Sequence, residues 1–191
     1  MPNAGSVFLA YFYFDFNDER KKDSRALLSS LLDQLSDQSD QFRDVLRRMY
    51  SEHRDGSKRP HDDALLLCLK DILTVARSVP VYLVVDALDE CPNDSGFPTS
   101  REKVLELVKI VVGLAHTNVH LCITSRPEFD IQNTLDPLAT QKVSLHDESG
   151  QKQDISDYIT FVVHSDRRMM RWRDEDKGTV IEDLTAKANG M

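Results

Sequence analysis

The residues best placed by type and spacing to do chemistry lie in the run Val81-Tyr82-Leu83-Val84-Val85-Asp86-Ala87-Leu88-Asp89-Glu90. A short apolar segment delivers three carboxylates at its C-terminal end. Carboxylates about 4 Å apart repel by roughly 1 kcal/mol in water and about 4 kcal/mol at an effective dielectric of 20, so the cluster points to a cation. Magnesium bound through one or two carboxylates, keeping several waters and bridging to phosphate oxygens, relieves that repulsion. Asp86 is then the metal-side acid. Asp89 or Glu90, just beyond on the turn, accepts a proton from, or orients, a water attacking a terminal phosphate. Arg126, at the end of a later apolar run, could donate to that phosphate. The competing reading leaves Asp89 and Glu90 as exposed acids at a loop start and Arg126 as a donor to nearby carbonyls.

These residues need elements to position them, and the apolar periodicity alternates between strand-like and helix-like stretches. Val7 to Phe16 is aromatic and β-branched and apolar on both faces, as a strand covered by helices on each side would be. From Ser24, Leu27, Leu28, Leu31, Leu32 and Leu35 trace one helical stripe, and Phe42, Val45, Leu46 and Met49 trace a second. Asp62 or Asp63 is expected to cap a helix carrying Leu65, Leu66, Leu69, Ile72, Leu73 and Ala76, and Pro80 marks entry to the acidic strand. Cys91 to Pro98 is turn chemistry. Thr99 and Glu102 have capping-box spacing ahead of a helix with Val104, Leu105, Leu107, Val108, Val111 and Leu114 on its buried face. Val119 to Thr124 is a short strand closed by Ser125-Arg126-Pro127, followed by another turn. Residues 141–145 could form a further strand, Ile155, Tyr158, Ile159 and Val162 an amphipathic helix, and Asp174 to Ala188 a last helix.

Strands separated by helices imply βαβ crossovers and a mainly parallel sheet, with ligand chemistry at the C-terminal strand ends. The polar residues gather there: Asp15 and Asp18 after the first strand, Asp86, Asp89 and Glu90 after the second, Ser125 and Arg126 after the third.

Composition bounds the partners. The 191 residues carry 24 basic and 32 acidic side chains, a net charge of −8, so the chain as a whole lacks the basic surplus that attracts nucleic acid or anionic lipid. Val7 to Phe14 is far short of the roughly 20 residues that span a bilayer, and no basic residue precedes it as in a signal peptide. The expectation is a cytoplasmic protein with no nucleic-acid or membrane partner. Cys68, Cys91 and Cys122 sit in or beside apolar segments and read as buried or idle thiols.

The residues V-Y-L-V-V-D-A-L-D-E-C, followed about thirty positions later by L-C-I-T-S-R-P-E, resemble the NACHT branch of the STAND nucleotidases. Asp86, the small Ala87, then Asp89 and Glu90 match that branch's Walker B, and Thr124-Ser125-Arg126-Pro127 its sensor strand. The opening F-L-A-Y-F-Y-F-D-F-N-D and the helix R-A-L-L-S-S-L-L-D-Q-L are similar to nephrocystin-like NACHT domains abundant in filamentous fungi. The similarity spans roughly residues 6 to 191. It implies a P-loop NTPase-like, three-layer α/β/α fold with a mostly parallel sheet, here missing the first, P-loop strand. Residues 1–150 would form a partial nucleotide-binding core with the fold's second to fifth strands, and 151–191 the start of a C-terminal helical part. Asp89 and Glu90 would be catalytic, Ser125 and Arg126 nucleotide-binding, and Asp86 the magnesium ligand.

The departure weighs equally, because no Gly-rich loop of the form G-x-x-x-x-G-K-[ST] occurs. In such domains that loop follows a central strand, so residues 141–145 would lose their neighbour, and both ends look cut. Three functions follow. The chain is part of a NACHT domain whose parent binds ATP or GTP with magnesium and hydrolyses it to reset a conformational switch. Alternatively, the chain is a non-hydrolysing interaction module, with no cofactor of its own, that self-associates or pairs with a protein partner. The least favoured is a metal-dependent nuclease or phosphatase, for which no second acid or histidine set is evident.

Overall fold

A computed structural model describes residues 7–53, 59–76, 79–93, 96–144 and 149–187. Strand β1 (Phe8–Tyr13) leads through a single 3₁₀ turn (Glu19–Lys21) into helices α1 (Ser24–Gln38), α2 (Asp40–Glu52) and α3 (Asp62–Val75). Strand β2 (Val81–Asp86) runs into a 3₁₀ turn (Leu88–Glu90), then α4 (Ser100–Gly113), β3 (Val119–Ile123) and the short α5 (Phe129–Leu135). The strands pair in parallel in the order β1-β2-β3, with Ala10, Leu83 and Leu121 in register. With α6 (Ser149–Ser165) and α7 (Asp174–Lys187), the described residues hold seven α-helices and form an α/β fold. Helix α1 packs against β1, α2, α3 and α4. The leucine stripe of α1 and alternate residues Ala10, Phe12, Leu83 and Val85 of the sheet are buried together in one core.

Helix starts follow local chemistry. Asp23 accepts from the Ala26 amide at the head of α1 (2.7 Å), and Thr99 and Glu102 form both arms of a capping box on α4. At α3 the expected cap is displaced. His61 is the N-cap without a side-chain bond, while Asp62 and Asp63 lie in the first turn. There they face the positive end of the helix dipole, and Asp62 also pairs with Arg25 at 2.7 Å.

Two strand expectations need correction. The first strand is apolar on both faces, yet only one is covered: Leu9, Tyr11 and Tyr13 are 47%, 46% and 50% exposed. Tyrosine suits a half-exposed pleat because its ring packs on neighbours while its hydroxyl stays wet, so the run reports β-propensity rather than cover. Residues 141–144 have no regular structure and are exposed. A strand persists only where a ladder takes its backbone groups, and no described strand offers one there. Leu145 lies outside the described residues.

The free edge of β1 is closed by a helix. Gln38 accepts from the Leu9 amide (3.0 Å) and donates to the Leu9 carbonyl (2.7 Å), and Gln34 does the same for Tyr11 (3.1 and 2.7 Å). Four helical residues rise about 6 Å and two strand residues about 6.6 Å, so two carboxamides on one helix face match the strand repeat and stand in for a neighbouring strand. Edge strands otherwise template aggregation.

The chain divides into two compact units, Met1–Ala139 and Thr140–Met191. The second consists of α6 and α7 packed on one another. Among the described residues no helix is long and apolar enough to cross a membrane.

If the two glutamines seal the edge, Gln34→Ala combined with Gln38→Ala should cost about 2 kcal/mol of stability in urea unfolding and promote self-association detectable by light scattering. A double variant that stays monomeric and equally stable would show that water serves the edge as well.

Candidate functional site

The site forms where β1, β2 and β3 end. Immediately after Asp86 the backbone of Ala87 turns left-handed (φ 53°, ψ 47°), which throws Leu88, Asp89 and Glu90 into one 3₁₀ turn across the strand ends. The Cβ of any L-residue crowds the following carbonyl there, at about 1–2 kcal/mol, and a β-branched side chain adds to that crowding. Leu88 is fully buried and anchors the turn from below.

Thr124, the first residue beyond β3, locks this geometry with every polar group it has. Its amide donates to Val85 (3.0 Å) and its carbonyl accepts from Leu88 (3.0 Å). Its hydroxyl accepts from the Ala87 amide (3.0 Å) and donates to Asp86 Oδ1. Asp86 Oδ2 takes no hydrogen bond among the described residues.

Asp89, Glu90 and Cys91 tie the turn to two segments, the stretch after β3 and the β1–α1 connection. Asp89 Oδ1 accepts from the Arg126 amide (3.0 Å), and its Oδ2 lies 3.4 Å from Arg126 Nε. The Asp89 side chain is nearly buried, whereas that of Arg126 is 82% exposed. Glu90 Oε2 accepts from the Phe16 amide beyond β1 (3.3 Å). The Cys91 thiol donates to the Lys22 carbonyl (3.3 Å), and burial pushes its pKa up to about 12. Ser125 turns its hydroxyl to the Arg126 carbonyl (2.5 Å) and is exposed.

Asp15 and Asp18 serve their own loop. Asp15 accepts from Asn17 (2.9 Å), and Asp18 caps the 3₁₀ turn by accepting from the Arg20 amide (3.0 Å). The Arg20 guanidinium and amide bonds hold the Asp18 carboxyl below the usual carboxylate range.

Of the assigned residues, Asp89, Glu90 and Arg126 line one cleft of about 600 Å³ together with Phe16, Lys22 and Asn93, whereas Asp86 and Ser125 are not among its lining residues. Among the described residues no group of three or more His, Cys, Asp or Glu is set to hold a metal ion. A magnesium site that uses one carboxylate, waters and phosphate oxygens needs no such cage, and the uncommitted Oδ2 of Asp86 fits that mode.

The sequence named no individual contact for two residues that shape the site. Thr124 is one, read there only as the first residue of the sensor-strand run Thr124-Ser125-Arg126-Pro127. Arg101 is the other: at the second position of α4, it is buried and reaches the carbonyls of Cys91 (2.9 Å) and Asp89 (2.6 Å) as well as Glu128 and Asp130. A signal existed, since Arg101 precedes Val104 and Leu105 by three and four residues and so shares their buried face.

Three measurements follow. Ala87→Val should lose about 1–2 kcal/mol in denaturant unfolding while Ala87→Gly is tolerated, because only the former worsens a left-handed residue; equal behaviour would remove the strain argument. Thiol labelling of the native chain should find exposed Cys122 and spare Cys91 and Cys68, whose pKa burial raises to about 11. Because both folded pKa values exceed the ordinary thiol value of 9.0, thiol ionisation in the unfolded chain should erode stability above about pH 9. Prompt labelling of all three would contradict this burial.

Against known proteins, no curated protein and no solved structure matches the chain. The family model described as Nephrocystin 3, N-terminal matches residues 3–126, a stretch that runs from the approach to β1 through the acidic turn to Arg126. More than half of the sequence lies in that match, and the chain belongs to the Nephrocystin 3, N-terminal family.

Proposed function

We propose that this chain supplies the magnesium side and the sensor side of a nucleotide site in a NACHT-type STAND switch, on a P-loop-like three-layer α/β/α core. The observation that carries the reading is the acidic turn after β2, pinned by Thr124 from the neighbouring strand so that Asp86 keeps one carboxylate oxygen uncommitted. Asp86 would hold magnesium, which when bound neutralises phosphate charge. Glu90, with one oxygen on the Phe16 amide and the other without a partner among the described residues, is suited to orient a water. Asp89 spends both oxygens on Arg126, so its part is to hold that arginine at the cleft. An exposed ion pair is worth only about 0–1 kcal/mol, so a phosphate can draw the Arg126 guanidinium away from Asp89. Ser125 lies beside it. Residues 1–150 would be the nucleotide-binding part and 151–191 the start of a helical part that responds to it.

The sequence contains no G-x-x-x-x-G-K-[ST], so the phosphate cradle of such a site is not among these 191 residues. The second reading, an interaction module that binds a partner without hydrolysis, draws on that fact and on the exposed sheet face with Leu9, Tyr11 and Tyr82.

The purified chain should show Mg²⁺-dependent binding of a fluorescent ATP or GTP analogue, weak for want of the cradle, lost in Asp86→Ala and kept in Glu90→Gln. It should turn over little or no nucleotide. Binding that ignores both magnesium and Asp86 would favour the interaction module. Turnover abolished by Asp89→Asn would overturn the division of roles between Asp89 and Glu90.

A further inference from the structure

We infer that Arg101 is a positioning residue that fixes the acidic turn and the Arg126 segment relative to one another. Its side chain is 7% exposed, and four donor contacts leave it toward two separate stretches of chain. Nε donates to the Cys91 carbonyl and one terminal nitrogen to the Asp89 carbonyl, gripping the turn by its main chain. The other terminal nitrogen bonds Glu128 and approaches Asp130 at 3.4 Å. Glu128 in turn donates its amide to the Arg126 carbonyl (2.8 Å), so the guanidinium reaches the arginine at the cleft through one residue. A second chain of bonds runs parallel to the first: Thr99 donates to Asn93 (2.8 Å), which donates to Asp130 (3.1 Å).

A buried guanidinium is a poor way to gain stability, since ion pairs of this kind are often replaced by apolar residues without loss. What it does supply is direction. The planar fork fixes angles between partners in a way that an ammonium, with its freely turning donors, does not. Neither the Asp89 nor the Cys91 carbonyl takes another hydrogen bond among the described residues, so removing the fork leaves those two carbonyls without a donor from the protein. The consequence for nucleotide, that the acids and Arg126 move as one piece, rests on the reading proposed above; the mechanical role does not.

Amide hydrogen exchange on the full chain, followed residue by residue by NMR, tests this with Arg101→Met, Arg101→Lys and Glu128→Gln. In Arg101→Met the amides of Glu90, Cys91, Arg126 and Glu128 should exchange at least about tenfold faster while Leu83 and Val85 in β2 stay within about twofold. Arg101→Lys should fall between. Glu128→Gln keeps the carbonyl bonds and should release Arg126 and Glu128 alone, which keeps the test informative if Arg101→Met unfolds. Uniform acceleration across β2 and the loops in the folded variants, or no acceleration, would overturn the inference. The selective pattern in a chain that shows no magnesium-dependent nucleotide binding would leave this role standing and remove the nucleotide reading.

Discussion

A guanidinium taken out of water has to be matched donor by donor, and at Arg101 that requirement organises the loops at the C-terminal edge of the sheet. Two of its partners are main-chain carbonyls of the acidic turn and two are carboxylates beyond β3. The partners come from segments far apart in sequence, so the residue is satisfied only when those segments are already in place. Thr124 imposes the same kind of condition from the strand side, because its hydroxyl is both acceptor for Ala87 and donor to Asp86. Between them the segment from Asp86 to Glu90 is held by bonds from the end of β3 and from α4, although it contains only one 3₁₀ turn.

This explains which parts of the site were legible in the sequence. Acids at the end of an apolar strand announce themselves because the strand is short, the charge is dense and the order of types is unusual. Thr124 and Arg101 do not, since a threonine ending a strand and an arginine in the first turn of a helix are ordinary choices. Their importance lies in which carbonyls and hydroxyls happen to be opposite, which is tertiary information. Arg101 carried a partial signal in sharing the face of Val104 and Leu105. Nothing in the local sequence named its partners.

The fold divides along similar lines. Long stripes such as Leu27 to Leu35 and the capping box of Thr99 and Glu102 encode their structure locally, and the alternation of strand and helix implied the parallel sheet that is found. Helix α5 was missed because seven residues with one buried side chain, Ile131, are too short to show a period. Residues 141–144 looked like a strand because β-propensity is blind to whether a ladder is present. The same blindness made β1 look covered on both faces. The glutamine clamp on its edge was equally invisible, since Gln34 and Gln38 are common exposed residues of a helix until a strand lies beside them.

The two acids after Ala87 illustrate how hydrogen bonding separates residues that look equivalent. Asp89 and Glu90 are adjacent, alike in charge, and read together as candidates for a proton-handling role. Asp89 is the shorter and nearly buried, and both of its oxygens face Arg126, one on its amide and one on its guanidinium. A carboxylate bound in this way sets where an arginine stands, and to act as a base it would first have to release that arginine. Glu90 has one more methylene, reaches out to the Phe16 amide, lines the cleft, and has a second oxygen with no partner among the described residues. Length and partner therefore suit the first acid to positioning, and in the proposed nucleotide reading they leave the water to the second. The left-handed Ala87 is the constraint behind both assignments, because it fixes the direction in which each side chain leaves the turn.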